Sequence, residues 1–96
     1  MKADQRGARS EIVVDAELVN WMLVRDIDPF DHAKVRVRLA GQILKDRLGR
    51  FADRSWIITS PVRSRRHLIA AGAVVRTHGS TYRLLRRSDR EDLELD

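Results

Sequence analysis

The sequence predicts a small α+β domain, mostly β: an SH3-like curled sheet or barrel of four or five strands carrying one N-terminal helix. Three stretches carry this reading. Ala33, Val35, Val37 and Leu39 alternate with Lys34, Arg36 and Arg38, as in a half-buried strand. Trp56, Ile57, Ile58 and Thr59 form a short apolar, β-branched run that ends near Pro61. Residues 73–87 read as a β-hairpin with two sorted faces.

The 96 residues make one domain with a modest core. Residues 1–10 are small, polar and charged, and are expected to be disordered; residues 11–87 form the single domain and residues 88–96 an acidic tail. After a short extended piece at residues 11–14, Asp15 stands where an N-cap belongs. Leu18, Trp21, Met22 and Arg25 follow at helical spacing, so residues 15–25 are expected to be a helix with Trp21 in the core. Pro29 biases Asp28 toward extended geometry and ends it in a turn.

Residues 33–48 fit two templates. The alternation reads as a strand, with Gly41 as a bulge; Asp31 as N-cap and Gly49 as C-cap would frame a helix. The β-branched alternation tips the reading to strand. Residues 45–55 form a charged loop with Gly49, Phe51 and Asp53. Ser60 and Pro61 also suit the start of a helix running to Gly72, which makes a winged helix the second fold reading. That arrangement leaves Trp56 to Ile58 stranded in a turn. In the hairpin, Gly79 and Ser80 suit a type II′ turn, which pairs Thr77 with Tyr82, Arg76 with Arg83 and Val75 with Leu84. Val75, Thr77, Tyr82 and Leu84 then face the core, and Arg76, His78 and Arg83 face outward.

Leu39-Ala40-Gly41-Gln42-Ile43, Arg50-Phe51-Ala52-Asp53, Ile58-Thr59-Ser60-Pro61-Val62 and Val75-Arg76-Thr77, with Ser80 and Tyr82-Arg83-Leu84, resemble a recurring order of short motifs. It is similar to that of a loose group of small uncharacterised proteins of proteobacteria and their phages. The resemblance covers residues 39–84. Arg54 stands where a Gly commonly follows the Asp, and the connection over residues 63–72 is longer. The resemblance implies a small β-rich fold and no known activity.

The net charge of +5 conceals an asymmetry. Before Lys34, four basic residues meet seven acidic ones; from Lys34 to Arg87, fourteen basic residues meet only Asp46 and Asp53; after Arg87 the net is −4. A basic centre between acidic ends implies an anionic partner, and twelve of those fourteen are Arg, suited to bidentate phosphate contact. The expected anion-binding residues are Lys34, Arg36, Arg38, Arg63, Arg65, Arg66, Arg76, His78, Arg83, Arg86 and Arg87.

Motifs for chemistry are not found. His32, His67 and His78 have no cysteine partners and no metal-ligand spacing, and no P-loop, nucleophile elbow or dinucleotide fingerprint occurs. Asp28 and Asp31 are expected to form turns. The expectation is a non-enzymatic binding module with no cofactor. It binds DNA or RNA through phosphates, or, as a second reading, it is an anti-CRISPR-like inhibitor docking on a host protein or ribonucleoprotein complex. A winged-helix DNA-binding regulator is the third reading. Without cysteine, a membrane-length apolar run or a signal peptide, the chain is expected to be cytoplasmic, with no membrane partner.

Overall fold

The computed structural model of the chain describes residues 13–95. Its regular elements are β1 (Ala16–Asp28), β2 (Asp31–Leu44), β3 (Trp56–Ile58), β4 (Val74–Arg76), β5 (Thr81–Leu84) and β6 (Leu93–Leu95), with one 3-10 turn at Arg66–Leu68. The mostly β expectation holds. The disorder expected of residues 1–10 lies outside the described residues.

The N-terminal helix is replaced by β1, and a single extra residue explains why its spacing looks helical. In the antiparallel β1–β2 ladder Val19 pairs with Gln42 and Met22 with Ala40, so Asn20 and Trp21 together oppose Gly41. This is a β-bulge, and Asn20 takes the left-handed conformation (φ 54°) that Asn tolerates better than most residues. The insertion reverses the in-out alternation. Leu18 before it and Trp21 after it therefore reach the same core, three residues apart. The bulge expected at Gly41 sits in the strand opposite. Asp15 caps no helix: its carboxylate accepts the Thr81 amide N–H at 2.9 Å and pairs with Arg47 at 2.7 Å.

Of residues 33–48, the strand reading holds as far as Leu44, where β2 ends. The sheet order is β3-β2-β1-β5-β4, with β6 paired to β1; β5 and β6 run parallel to β1, and the other pairings are antiparallel. Past β3 the chain keeps following β2, Thr59 donating to the Leu39 carbonyl at 2.8 Å and Val62 to that of Val37 at 2.7 Å. Val62 also bridges Thr77, and Arg63 donates to the Arg76 carbonyl at 2.7 Å. These few bonds stitch the β2 and β4 sides together without closing a barrel. Among the described residues there is no α-helix, so the winged-helix arrangement is excluded; Trp56–Ile58 lies in the sheet and residues 61–72 hold only the 3-10 turn.

The core lies on the inner face: Ala16, Leu18, Trp21, Leu23, Leu39, Ile43, Val75, Tyr82 and Leu84. Each large side chain there contributes about 1.5–3 kcal/mol by leaving water. Trp21 is fully buried, as expected, and its indole N–H is satisfied by the Leu85 carbonyl at 3.0 Å. Met22, Val24 and Ala40 form a smaller cluster on the outer face.

The C-terminal hairpin keeps its expected faces but not its register. Val75 pairs with Tyr82, Arg76 with Thr81 and Val74 with Arg83, a slip of two residues that leaves the alternation unchanged. The cause is Thr77. Its hydroxyl accepts the Gly79 and Ser80 amides at 3.2 and 3.0 Å, which rounds residues 77–80 into a four-residue loop instead of a type II′ turn. Arg76 and Arg83 are consequently diagonal neighbours and do not confront each other.

At the other end, β1 and β2 project as a long hairpin that exposes Ile27, Phe30 and Val35, in a body 52 Å along its longest axis. Asp28 and Asp31 are turn formers, accepting the amides of Phe30 and Ala33 at 2.8 and 3.1 Å. Among the described residues no helix is long and apolar enough to cross a membrane.

Candidate functional site

The basic residues singled out in the sequence fall into separate groups. On β2, Lys34 is exposed toward the hairpin tip, while Arg36 and Arg38 converge on Asp26 of β1 at 3.1 and 3.4 Å. Arg38 also donates to the Thr59 carbonyl at 3.2 Å. Both guanidiniums are thus engaged by the same carboxylate, while Arg36 Nε is left without a hydrogen-bond partner.

Beyond β5, Arg86 donates to Asn20 Oδ1 at 2.8 Å. Arg87 lies over the Trp21 ring, 5.1 Å from its centroid, and grips both oxygens of Asp92 at 2.7 and 2.8 Å. Asp92 in turn accepts the Leu23 amide at 3.1 Å. Burial raises the Asp92 carboxyl, but these hydrogen bonds and the charges of Arg87 and Arg25 outweigh it and hold the carboxyl below its usual range. Arg87 is thus part of the scaffold that fixes β6 alongside β1.

The third group is different. Arg63, Arg65, Arg76 and Arg83 are exposed and, among the described residues, form no ion pair. Arg63 and Arg76 are held as neighbours by the backbone bond between them and by Ser64, whose hydroxyl accepts the Arg76 amide at 2.9 Å. Together with Val74 and Thr81 they line a depression of about 350 Å³. Arg83 stands on the same outer face of the β4–β5 pair, and Arg66 opens the 3-10 turn just beyond Arg65. His78 is exposed but lines another groove, of about 550 Å³, with Asp28, Lys34 and Arg36.

The two acids of the basic centre are committed to their loop. Asp46, whose side chain is 1% exposed, accepts the amides of Leu48, Arg50 and Phe51 and the guanidinium of Arg50. The Arg50 hydrogen bond holds its carboxyl below the usual range against the opposing effect of burial. Arg50 reaches on to the Ser80 hydroxyl at 2.6 Å, tying this loop to the hairpin loop. Asp53 accepts the Lys45 amide at 2.9 Å.

One surface was not visible from the sequence reading, which placed Trp56 within a short apolar run. Trp56 is 59% exposed and Ile58 60% exposed. Their pairing with Gln42 and Ala40 puts both on the outer face, where Met22, Ala40, Trp56, Ile57, Ile58 and Arg90 line a groove of about 420 Å³. Side chains alternate along residues 56–58, and only Ile57 packs against the inner core. Comparison with protein-family models, with curated proteins and with solved structures finds no match for this chain.

Proposed function

We propose that this chain is a non-enzymatic binding module of the cytoplasm that holds nucleic acid by its phosphates, through Arg63, Arg65, Arg76 and Arg83. The observation that carries the reading is the contrast between guanidiniums. Those on β2 and beside Trp21 are ion-paired to Asp26 and Asp92, whereas the four around β4 have no acidic partner among the described residues. Exposed, unpaired arginines at neighbouring positions favour a polyanion, because each phosphate neutralised releases condensed counterions. In the same reading the fold is SH3-like in outline, a curled sheet whose outer face is the binding surface. Retardation of labelled DNA and RNA across a salt series tests it: affinity that falls steeply with salt supports phosphate contact, and no retardation at low salt refutes it.

A second reading, a protein-directed inhibitor of a host defence complex, is favoured by one observation. Phe30 at the tip of the β1–β2 hairpin is 97% exposed, with Ile27 and Val35 exposed beside it. A protruding apolar tip suits insertion into a protein partner. Under that reading the chain copurifies with a host complex and leaves naked nucleic acid unbound.

A further inference from the structure

Three side chains from distant parts of the sequence form a hydrogen-bonded row across the outer face of the sheet, and a fourth, Trp56, stands next to it in the strand register. Trp56 on β3 pairs in register with Gln42 on β2. Gln42 Oε1 accepts from Asn20 Nδ2 at 2.8 Å, and Asn20 Oδ1 accepts from Arg86 Nη2 at 2.8 Å. Gln42 Nε2 donates to the Arg54 carbonyl at 3.3 Å, so the Gln42 amide is held at both its oxygen and its nitrogen. The β-bulge makes this row: without the extra residue, Asn20 would not stand on the outer face between Val19 and Met22.

We propose that this row is a site for single-stranded nucleic acid, with one base stacked on Trp56, the Gln42 amide at the edge of that base, and the following phosphates running over Arg86 toward Arg83. The inference rests on the nucleic-acid reading above and adds to it a strandedness and a base contact. An aromatic ring on an open sheet face can stack only on a base whose own face is free, and a duplex offers none along its length. Each amide nitrogen has two protons and spends one, Asn20 on Gln42 and Gln42 on the Arg54 carbonyl, leaving one for a base acceptor. The strands bearing Trp56 and Arg83 are three sheet spacings apart, roughly 14 Å, so one short oligonucleotide reaches both. Glu17, the carboxylate nearest Arg83 in the register, is offset by Lys45 at 3.9 Å. Arg90, on the rim of the apolar groove beside Trp56, adds a further cation. A purely apolar peptide would leave the amides and Arg86 without use, which favours the nucleic acid.

The test compares binding of a labelled 12-nucleotide oligothymidine and a mixed-sequence duplex of equal length to the full chain and to Trp56→Ala, Trp56→Phe and Arg76→Ala. Trp56 is largely exposed and Trp21 fully buried, so quenching of intrinsic fluorescence on binding reads Trp56 directly. The expected result is tighter binding of the single strand with quenching. Trp56→Ala should lose about tenfold for the single strand and little for the duplex, and Trp56→Phe should keep most of the affinity. Duplex bound as tightly as single strand, or single-strand affinity unchanged in Trp56→Ala, overturns this site; if Arg76→Ala still weakens binding, the phosphate reading survives. No binding of either oligomer overturns both and assigns the Trp56 surface to a protein partner.

Discussion

Trp21 and Gly41 face each other across the β1–β2 ladder so closely that a Cβ on Gly41 would lie 3.1 Å from both Cα and Cβ of Trp21, and 3.2 Å from the Val19 carbonyl oxygen. Two of those atoms belong to the backbone of the bulge and cannot swing aside. Gly41→Ala is expected to destabilise the protein by about 1–3 kcal/mol, through overpacking. A denaturant titration with an unchanged midpoint would show that the bulge is free to shift.

Arg54 sits at φ 71°, where an L side chain crowds the following carbonyl. Its position follows Asp53, where the motif order noted in the sequence commonly has Gly. Relief of left-handed strain, about 1–2 kcal/mol, is partly offset by the greater freedom of glycine in the unfolded chain. Arg54→Gly is expected to raise stability by up to about 1 kcal/mol, and Arg54→Ala to leave it near the starting value. Thermal unfolding of the two variants side by side distinguishes conformational strain from loss of the charge.

The division of the arginines into free and committed groups predicts opposite phenotypes. Arg76→Ala and Arg83→Ala should each reduce the slope of log affinity against log salt by about one, with little change in stability. Arg87→Ala should do the reverse, since it strips Asp92 of its closest cation and Trp21 of its cover. Asp26→Asn should tighten binding at low salt by releasing Arg36 and Arg38. Measuring unfolding and nucleic-acid affinity on the same preparations checks all four.

Acid should loosen two attachments. Asp46 and Asp92 both have carboxyls held below their unfolded values. A lowered folded-state pKa gives stability that is present above the unfolded pKa of about 4 and is lost as pH falls through the folded value. Stability is therefore expected to decline below about pH 4, and Asp46→Asn to flatten that decline while lowering stability at neutral pH. A denaturant midpoint that is level from pH 6 to pH 2 would contradict it.

The acidic tail should prove structural. Its residues pair with β1, and Asp92 engages Arg87 and the Leu23 amide, away from Arg63, Arg76 and Arg83. Removing residues 89–96 is expected to lower the melting temperature by several degrees, and any gain in anion affinity should reflect only the net charge of the chain. A truncated protein that melts like the full chain would return the tail to solvent.

The outer and inner faces of both C-terminal strands could be read from the sequence, because alternation survives any slip of two residues. The pairing itself could not, since the Thr77 hydroxyl sets the loop length and hydroxyl geometry leaves no periodic trace. The same limit explains β1. A bulge adds one residue to a period of two, which imitates the three-and-four spacing of a helix over a window as short as Leu18 to Met22. The basic stretch was visible as charge, yet Asp26 and Asp92 lie outside it in the sequence, so their pairing with Arg36, Arg38 and Arg87 was not. The exposure of Trp56 was not legible because three apolar residues in a row show no alternation of polarity, whichever way they point.

The first strand is completed by the last ones. Asp15 and Thr81, hydrogen-bonded at the start of β1, are 66 positions apart, and Leu23 and Asp92 are 69 apart. The β1–β2 hairpin can form from local residues alone, but the opposite edge of β1 stays open until β5 and β6 have been synthesised. Closing a loop of that size precedes any gain from the parallel pairing, which makes the topology slow to fold. During that interval the emerging chain presents a long unpaired strand edge rich in apolar residues, the kind of surface on which nascent chains capture one another or a chaperone.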